Sequence, residues 1–272
     1  MINHNSKLLQ PNSTFISTSN RALKYGDGLF ETIKVINNNI VFLENHYFRL
    51  MASMRMLRME IPMEFNLDFF ENEILKTVEA NELVDARIRF VVYRKNGGLY
   101  LPKTNNIDFY IEVSELSVNA TNIQKLDLYK DFLLTKGALA NLKTTNRLVN
   151  VLASIYCEEN EFDNCVLLNN DKYIAETINS NIFLVFDSVV KTPALTEGCI
   201  KGVTRKKVIE IIKANKKLTI EEVAVSPFEL QRANEVFLTN AIQGVQVVEN
   251  YRKTTYETKV GMEIKNQLEN LI

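Results

Sequence analysis

The sequence predicts a mixed α/β (α+β) protein with two domains, and three observations lead to this fold class. Strand-like and helix-like segments follow one another along the chain, strand patterns recur in both halves, and the 272 residues are enough for one to two domains. A polar stretch at 114–122 is the best candidate for a linker. We therefore expect one domain at 1–113 and a second at 123–272.

The first half is expected to contain a hairpin, two helices and two further strands. Asn37-Asn38-Asn39 is the turn signal of the hairpin, and Ile61-Pro62 ends the helical pattern of the first helix. The predicted strands are 29–36, 40–42, 86–94 and 107–113, and the predicted helices are 44–59 and 67–81.

The second half alternates in the same way after a loop at 136–145. Ser226-Pro227-Phe228-Glu229 is a capping box with proline at the first helical position, so a short helix is expected to start there. The predicted strands are 165–168, 173–175, 182–186, 235–239 and 245–248, and the other predicted helices begin near 148, after 204 and near the C-terminus.

Composition excludes several functional classes. The 32 basic and 33 acidic residues give a net charge of −1, which predicts no nucleic-acid partner. Two histidines, His4 and His46, cannot assemble a His-rich zinc site, and we expect no metal. No apolar run approaches the roughly 18 residues of a membrane span, and the N-terminus lacks the apolar region of a signal peptide, so we expect a cytoplasmic protein without membrane contact.

Lysine is therefore a candidate for the chemistry, together with a bound cofactor. Lys143 lies in a polar loop just before a helix, where partial desolvation would make its amine reactive. The alternative is an ordinary solvated lysine. Glu176 follows a strand, where its carboxylate could keep a heterocyclic nitrogen protonated; the alternative is a solvated hairpin glutamate.

Two further features could bind a phosphate. Gly202-Val203-Thr204 opens a helix, and unpaired amides with the positive end of the helix dipole favour an anion. Arg49 has the small residues Ala52 and Ser53 three and four positions later, which leaves room beside its guanidinium for a phosphate. The alternatives are a plain helix start and a surface charge, and His46 is interpreted as a packing residue. Together these groups are what pyridoxal phosphate requires.

Six sequence blocks, in the same order, make the chain resemble the class IV aminotransferase family, the fold type IV pyridoxal-phosphate enzymes. The blocks are YGDGLFET (25–32), ENHYFRL (44–50), KTTNRL (143–148), AE with SNIF (175–176 and 180–183), KGVTR (201–205) and EVFLTNA (235–241).

The resemblance implies a smaller N-terminal α/β domain, a larger C-terminal barrel-like domain and the cofactor between them. It also implies a homodimer in which a loop, here 95–102, reaches the neighbouring site. Lys143 would bond to the cofactor and act as acid and base, with Glu176 at the ring nitrogen. The other implied cofactor-binding residues are Arg49, Val203, Thr204, Asn240 and Ala241. The candidate substrate-binding residues are Tyr25, Phe30, Thr32, Arg94 and Tyr100.

Three subfamilies compete. The Lys-x-x-Asn-Arg-Leu pattern at 143–148, the Gly-Gly loop with Tyr and Pro at 97–102, and Asn240-Ala241 most resemble aminodeoxychorismate lyases, although Leu99 departs from their usual Arg-Gly-Tyr. Branched-chain aminotransferases usually carry a tyrosine near Arg147, and D-amino-acid aminotransferases carry Arg and His in the loop. We expect a 4-amino-4-deoxychorismate lyase of folate biosynthesis first, an amino-acid transaminase second, and a relative that binds without catalysis third.

Overall fold

The computed structural model describes residues 1–117 and 122–272, which divide into two compact units. The first unit comprises Met1–Val118 with Lys143–Asn146, and the second comprises Asn119–Leu142 with Arg147–Ile272. Residues 118–121 of the predicted linker at 114–122 lie outside the described residues. Its first two residues, Ser114 and Glu115, still belong to a strand. The predicted domain boundaries stay a prediction.

The first unit is built on one antiparallel sheet of six strands in the order β2-β1-β6-β5-β3-β4. The strands are β1 (Ile2–His4), β2 (Lys7–Leu9), β3 (Gly28–Ile36), β4 (Asn39–Ile40), β5 (Ala86–Arg94) and β6 (Ile107–Glu115). The hairpin and the two longer predicted strands are confirmed, whereas β1 and β2 were not predicted.

Two helices, α2 (Leu43–Met56) and α3 (Leu67–Glu79), cover one face of this sheet. The short helix α1 (Arg21–Tyr25) packs its Ala22 beside Phe30 on the other face. Leu50 and Met54 of α2 and Phe70 of α3 are fully buried. Helix α2 ends three residues earlier than predicted, because Arg58 adopts a left-handed φ of 55° that no α-helix can continue.

The second unit contains two five-stranded sheets, ordered β12-β11-β10-β13-β14 and β16-β15-β7-β8-β9. Their strands are β7 (Leu126–Leu134), β8 (Asn164–Asn169), β9 (Ile174–Thr177), β10 (Asn181–Phe186), β11 (Val189–Pro193), β12 (Thr219–Val223), β13 (Glu235–Asn240), β14 (Gly244–Val248), β15 (Asn250–Tyr251) and β16 (Thr254–Thr255). Apolar side chains of both sheets, among them Val166, Ile182 and Leu238, form one buried cluster.

Three helices accompany these sheets: α4 (Leu148–Glu159), α5 (Val203–Ala214) and α6 (Lys259–Glu269). The capping box predicted at Ser226 is present and starts a short 3-10 helix, Pro227–Gln231. Within the described part of the chain, none of the helices has the length and apolar composition to span a bilayer.

Candidate active site

Lys143 lies in a short segment that pairs with the edge of β3. The amide of Phe30 donates to the Lys143 carbonyl (2.8 Å), and the amide of Thr145 donates to the Gly28 carbonyl (3.0 Å). Glycine suits position 28, because a Cβ there would lie only 3.2 Å from Thr145 Cγ2. The Lys143 side chain is half-buried, and its Nζ is 4.5 Å from the centre of the Phe30 ring. The Phe30 ring therefore lies against the amine that is predicted to react with a carbonyl group.

A second cation, Arg89, contacts the same ring. Its guanidinium carbon is 4.1 Å from the Phe30 ring centre. Arg89 pairs with Thr32 in the strand register, and side chains alternate along a strand, so Phe30, Thr32 and Arg89 share one face of the sheet. Phe30 and Thr32 were predicted to line the substrate side. Arg89 was missed. It lies two residues before Val91, which pairs with Phe30, so the register of β3 and β5 places it on the same face as Phe30.

On the opposite face of β3, Glu31 binds two side chains from α2. The Nδ1 atom of His46 is 2.7 Å from Glu31 Oε2, Arg49 Nε donates to Oε1 (2.7 Å), and Arg49 Nη2 donates to Oε2. Glu31 and His46 are each 1% exposed. The predicted phosphate arginine is thus oriented by a carboxylate to which the sequence analysis gave no role.

The charges of this cluster depend on one another. Burial by itself raises the pKa of Glu31, but attraction to Arg49 and the hydrogen bonds with His46 and Arg49 outweigh it and hold the pKa at about 2. Burial also lowers the pKa of His46, and the charges of Arg49 and Lys143 add to this effect, while Glu31 opposes it. Glu31 is therefore ionised throughout the physiological range, and His46 favours its neutral form.

Replacing Glu31 by Gln should lower the free energy of unfolding at pH 7 by about 3 kcal/mol, because Arg49 then loses its buried counter-charge. The folded pKa of about 2 lies below the ordinary 4.5, so this stabilisation is complete above pH 4.5 and is lost as the pH falls towards 2. Urea titration of both proteins at pH 7 and pH 3 checks this. Glu210→Gln, which breaks an exposed pair with Lys206, is the control, and equal losses in both variants would contradict the prediction.

Arg94, predicted to bind substrate, is 6% exposed and engaged by the protein. Its Nε donates to Asp27 (3.0 Å), its Nη1 to Asn105 Oδ1 (2.5 Å) and its Nη2 to the Leu57 carbonyl (2.6 Å). These contacts fix the start of the loop 95–102 and do not support a direct bond to substrate. Substrate binding by Arg94 stays a prediction.

The rest of that loop is held by Arg21. Its guanidinium donates to the carbonyls of Gly97 (3.1 Å), Leu99 (2.6 Å) and Tyr100 (3.3 Å). The Tyr100 side chain is 89% exposed, and its ring centre is 5.6 Å from that of Tyr25. Two of the predicted substrate residues, Tyr25 at the end of α1 and Tyr100 on the loop, therefore lie side by side.

In the second unit, Glu176 lies near the end of β9 and is 4% exposed. The amide of Ile200 donates to its Oε2 (2.8 Å). This main-chain hydrogen bond holds the buried carboxyl group in a defined orientation. This is the arrangement that a protonated ring nitrogen needs as a partner. Ile200 was missed because a main-chain donor has no side-chain signature.

Helix α5 begins directly after Gly202, as predicted. Gly202 is the N-cap without a side-chain hydrogen bond, and Val203 and Thr204 are 5% and 4% exposed. The first amides of a twelve-residue helix point out of its N-terminus and favour an anion. The predicted phosphate-binding segment therefore has the required main-chain geometry.

Asn240 and Ala241 begin the turn between β13 and β14. Asn240 Oδ1 accepts from the amides of Ile242 (3.0 Å) and Gln243 (2.8 Å), and its Nδ2 donates to Ser180 Oγ (3.0 Å). The side chain therefore shapes the turn that carries Ala241, and connects it to the SNIF block.

Pyridoxal phosphate has three recognisable groups, and the described residues include a partner for each. An amine for the aldehyde is present in Lys143, and a buried carboxylate for the ring nitrogen in Glu176. Arg49 and the start of α5 suit the phosphate. A Cβ at position 202 would lie 2.1 Å from Asn181 Oδ1, so the helix start has a close packing that requires glycine. The residues present therefore fit the cofactor.

Comparison with known proteins shows the family. Residues 28–251 match the class IV amino-transferase family. A putative branched-chain-amino-acid aminotransferase of Methanocaldococcus jannaschii is 30% identical over 86% of this chain and 82% of that protein. The aminodeoxychorismate lyase of Vibrio harveyi is 27% identical over 86% of this chain and 87% of that protein.

A solved structure gives the same result for the fold. The 4-amino-4-deoxychorismate lyase of Pseudomonas aeruginosa superposes with a TM-score of 0.87 at 25% identity, and the match covers 99% of this chain and 98% of that one. The resemblance to fold type IV enzymes and the expected cofactor are confirmed. This chain belongs to the class IV aminotransferase family and is a pyridoxal-phosphate-dependent enzyme.

Proposed function

We propose that the enzyme is a 4-amino-4-deoxychorismate lyase that produces 4-aminobenzoate and pyruvate for folate biosynthesis. The observation that carries this proposal is the pair of cations at one aromatic ring: Lys143 Nζ and the Arg89 guanidinium carbon lie 4.5 and 4.1 Å from the centre of Phe30. An amine that moves protons and a guanidinium that binds carboxylates suit a cyclic substrate with an amine and a carboxylate.

Features that the transaminases use are replaced here. Arg147 stands where branched-chain aminotransferases usually carry tyrosine, and its Nη2 donates to the Leu142 carbonyl (2.6 Å). The loop 95–102 contains no histidine, and Arg94 is held by Asp27 and Asn105, so the arginine and histidine expected in D-amino-acid aminotransferases lack a counterpart. The nearly complete mutual coverage with the Pseudomonas lyase supports the same choice.

Each residue of the proposed site has its own role toward the cofactor or the substrate. When bound, pyridoxal phosphate supplies an aldehyde that condenses with amines and a ring that accepts electron density. Arg49 and the amides at Val203 and Thr204 hold the phosphate, and Glu176 keeps the ring nitrogen protonated. Arg89, whose guanidinium lies against the Phe30 ring, binds the substrate's carboxylate and so orients the substrate.

Lys143 then acts on the substrate. Its amine removes the proton from the ring carbon that carries the amino group. The carbon–oxygen bond to the enolpyruvyl group breaks, the ring becomes aromatic, and the leaving enolate takes up a proton to become pyruvate. Lys143 is the group that can return this proton. Substrate atoms are conserved, because 4-aminobenzoate and pyruvate together contain all atoms of the substrate.

The alternative is an amino-acid transaminase for branched-chain or D-amino acids, which the identity to the Methanocaldococcus protein favours. In that reaction Lys143 moves a proton between the substrate α-carbon and the cofactor, and a second oxo acid completes the cycle. Lys143, Glu176 and Arg49 keep the same roles in both reactions. The choice depends on groups outside the cofactor site, in particular Arg89 and the loop 95–102.

A product assay separates the two functions. Purified enzyme with 4-amino-4-deoxychorismate should release pyruvate and 4-aminobenzoate in equal amounts without an added oxo acid. Arg89→Gln should raise the KM by about tenfold or more, since a charged hydrogen bond to the carboxylate is lost. Arg87→Gln, an exposed arginine on the same strand, is the matched control. Turnover only with paired amino and oxo acids would overturn the lyase assignment.

We also infer a cytoplasmic homodimer. The loop 95–102 supports the dimer, because Leu99, Tyr100 and Leu101 are 77%, 89% and 84% exposed while Arg21 fixes their main chain. Apolar side chains displayed on a rigid loop are typical of a protein contact. Light scattering of the purified enzyme measures the mass directly, and a monomer at micromolar concentration would contradict this inference.

A further inference from the structure

Asn181, the first residue of β10, links two parts of the proposed cofactor site. It is 7% exposed, and its Nδ2 donates to the Ile200 carbonyl (2.9 Å). That carbonyl accepts, so the nitrogen of the amide must face it, and the oxygen Oδ1 faces the other way. The side chain therefore has a defined orientation.

The first link runs to Glu176. The amide of Ile200 donates to Glu176 Oε2 (2.8 Å), and the carbonyl of the same residue is held by Asn181. Both polar groups of Ile200 are therefore fixed by buried side chains. Loss of the Asn181 bond would release the segment whose amide orients the carboxylate.

The second link runs to the start of α5. Asn181 Oδ1 would lie 2.1 Å from a Cβ at position 202, and the Gly202 amide donates to the same Ile200 carbonyl (2.8 Å). Asn181 thus occupies the space beside Gly202. The direction of the first amides of α5 depends on this packing, because Gly202 is the N-cap of the helix.

We propose that Asn181 is a positioning residue that aligns Glu176 and the N-terminus of α5 with each other, so that one side chain sets the distance between the ring-nitrogen partner and the phosphate site. This inference rests on the proposed roles of Glu176 and α5. It does not depend on whether the enzyme is a lyase or a transaminase, because both reactions need the same cofactor.

The test measures the affinity of the apoenzyme for pyridoxal phosphate and for pyridoxal, which lacks the phosphate. Gly202→Ala should weaken pyridoxal phosphate binding by about tenfold and pyridoxal binding by less, because the added methyl group disturbs the helix start directly and reaches Glu176 only through Asn181. Asn181→Ala should weaken both by about tenfold, because it also releases the segment that orients Glu176.

The double variant Asn181→Ala with Gly202→Ala examines the contact itself. Without the asparagine side chain, the added methyl group meets no Oδ1 atom, so the second substitution should cost less than about twofold in affinity. The pH dependence of the bound cofactor's absorbance should also shift in Asn181→Ala, because the ring-nitrogen partner has moved.

Thr192→Val is the matched control. The Thr192 hydroxyl is buried and donates to the main-chain carbonyl of Ile182 (2.8 Å) on β10, the strand that begins with Asn181, so its loss costs stability in a similar way. It should leave the affinities for both ligands unchanged. The proposal would be overturned if the losses of affinity in the double variant were additive. It would also be overturned if Gly202→Ala left the ratio of the affinities for pyridoxal phosphate and pyridoxal unchanged. These assays use no lyase substrate, so failure of the proposed function would be seen separately in the product assay.

Discussion

Lys143→Ala is expected to abolish turnover and the covalent attachment of the cofactor while the protein stays folded. The Lys143 amine both bonds to the cofactor and acts as the base, and the alanine side chain can do neither. The fold should tolerate the change, because the segment pairs with β3 through its main chain. Borohydride reduction of the wild type followed by peptide mapping should place the cofactor on Lys143, and the variant should remain unlabelled.

Lys136 provides the matched control for this experiment. A hydrogen bond to Asp171 and, to a smaller extent, one to Glu197 raise the pKa of Lys136, which keeps its amine protonated and unreactive. Lys136→Ala should therefore keep the label and the turnover. A label on Lys136 or Lys201 in the wild type would show that the lysine assignment is wrong.

At saturating pyridoxal phosphate, Glu176→Gln is expected to retain the cofactor and to slow proton abstraction by about a thousandfold. The two side chains are nearly isosteric, so Ile200 can still donate to the remaining carbonyl oxygen. Glutamine has no negative charge, however, and cannot keep the ring nitrogen protonated as electron density flows into the ring. Single-turnover kinetics at saturating pyridoxal phosphate measure this step, and added cofactor should not restore it.

Variants at the phosphate site should behave in the opposite way. Arg49→Ala removes a contact that is equal in the resting and reacting states, so it should weaken cofactor retention and recover much of its rate at high pyridoxal phosphate. Because this change also leaves Glu31 without its main counter-charge, Thr204→Val is the companion variant that preserves the buried ion pair. Rescue of Glu176→Gln by cofactor, with no rescue of Arg49→Ala and Thr204→Val, would show that the assignments are reversed.

The elements that were predicted correctly have local signals. The strand 86–94 and the start of α3 at Leu67 agree with the structure to the residue, and the capping box at Ser226 is present. Strand β7 was missed because its polar residues, Asp127, Lys130 and Asp131, mask the strand pattern. Strand β12 was missed for a related reason: it is largely exposed at a sheet edge, and only its pairing with β11 makes it a strand.

The residues of the candidate site also fall into two groups, those with a local sequence signal and those without one. Lys143, Glu176, Arg49 and the α5 segment were predicted because each residue type has a chemical role and a recognisable sequence block. Arg89 was missed, since its position beside Phe30 depends on the register of β3 and β5. Glu31 was quoted in a block but received no role, because its partners lie 15 and 18 residues away on α2.

The sequence by itself determined the family and the cofactor, and it predicted which residues meet the cofactor's three chemical groups, because these depend on side-chain chemistry in a fixed order. The tertiary structure alone decided which groups orient those residues: Glu31 for Arg49, the Ile200 amide for Glu176, and Asn181 for Ile200 and Gly202. Such contacts join positions far apart in the chain and often use main-chain atoms. Every residue except proline carries the same main-chain donor and acceptor, so no sequence pattern can mark which of them is used.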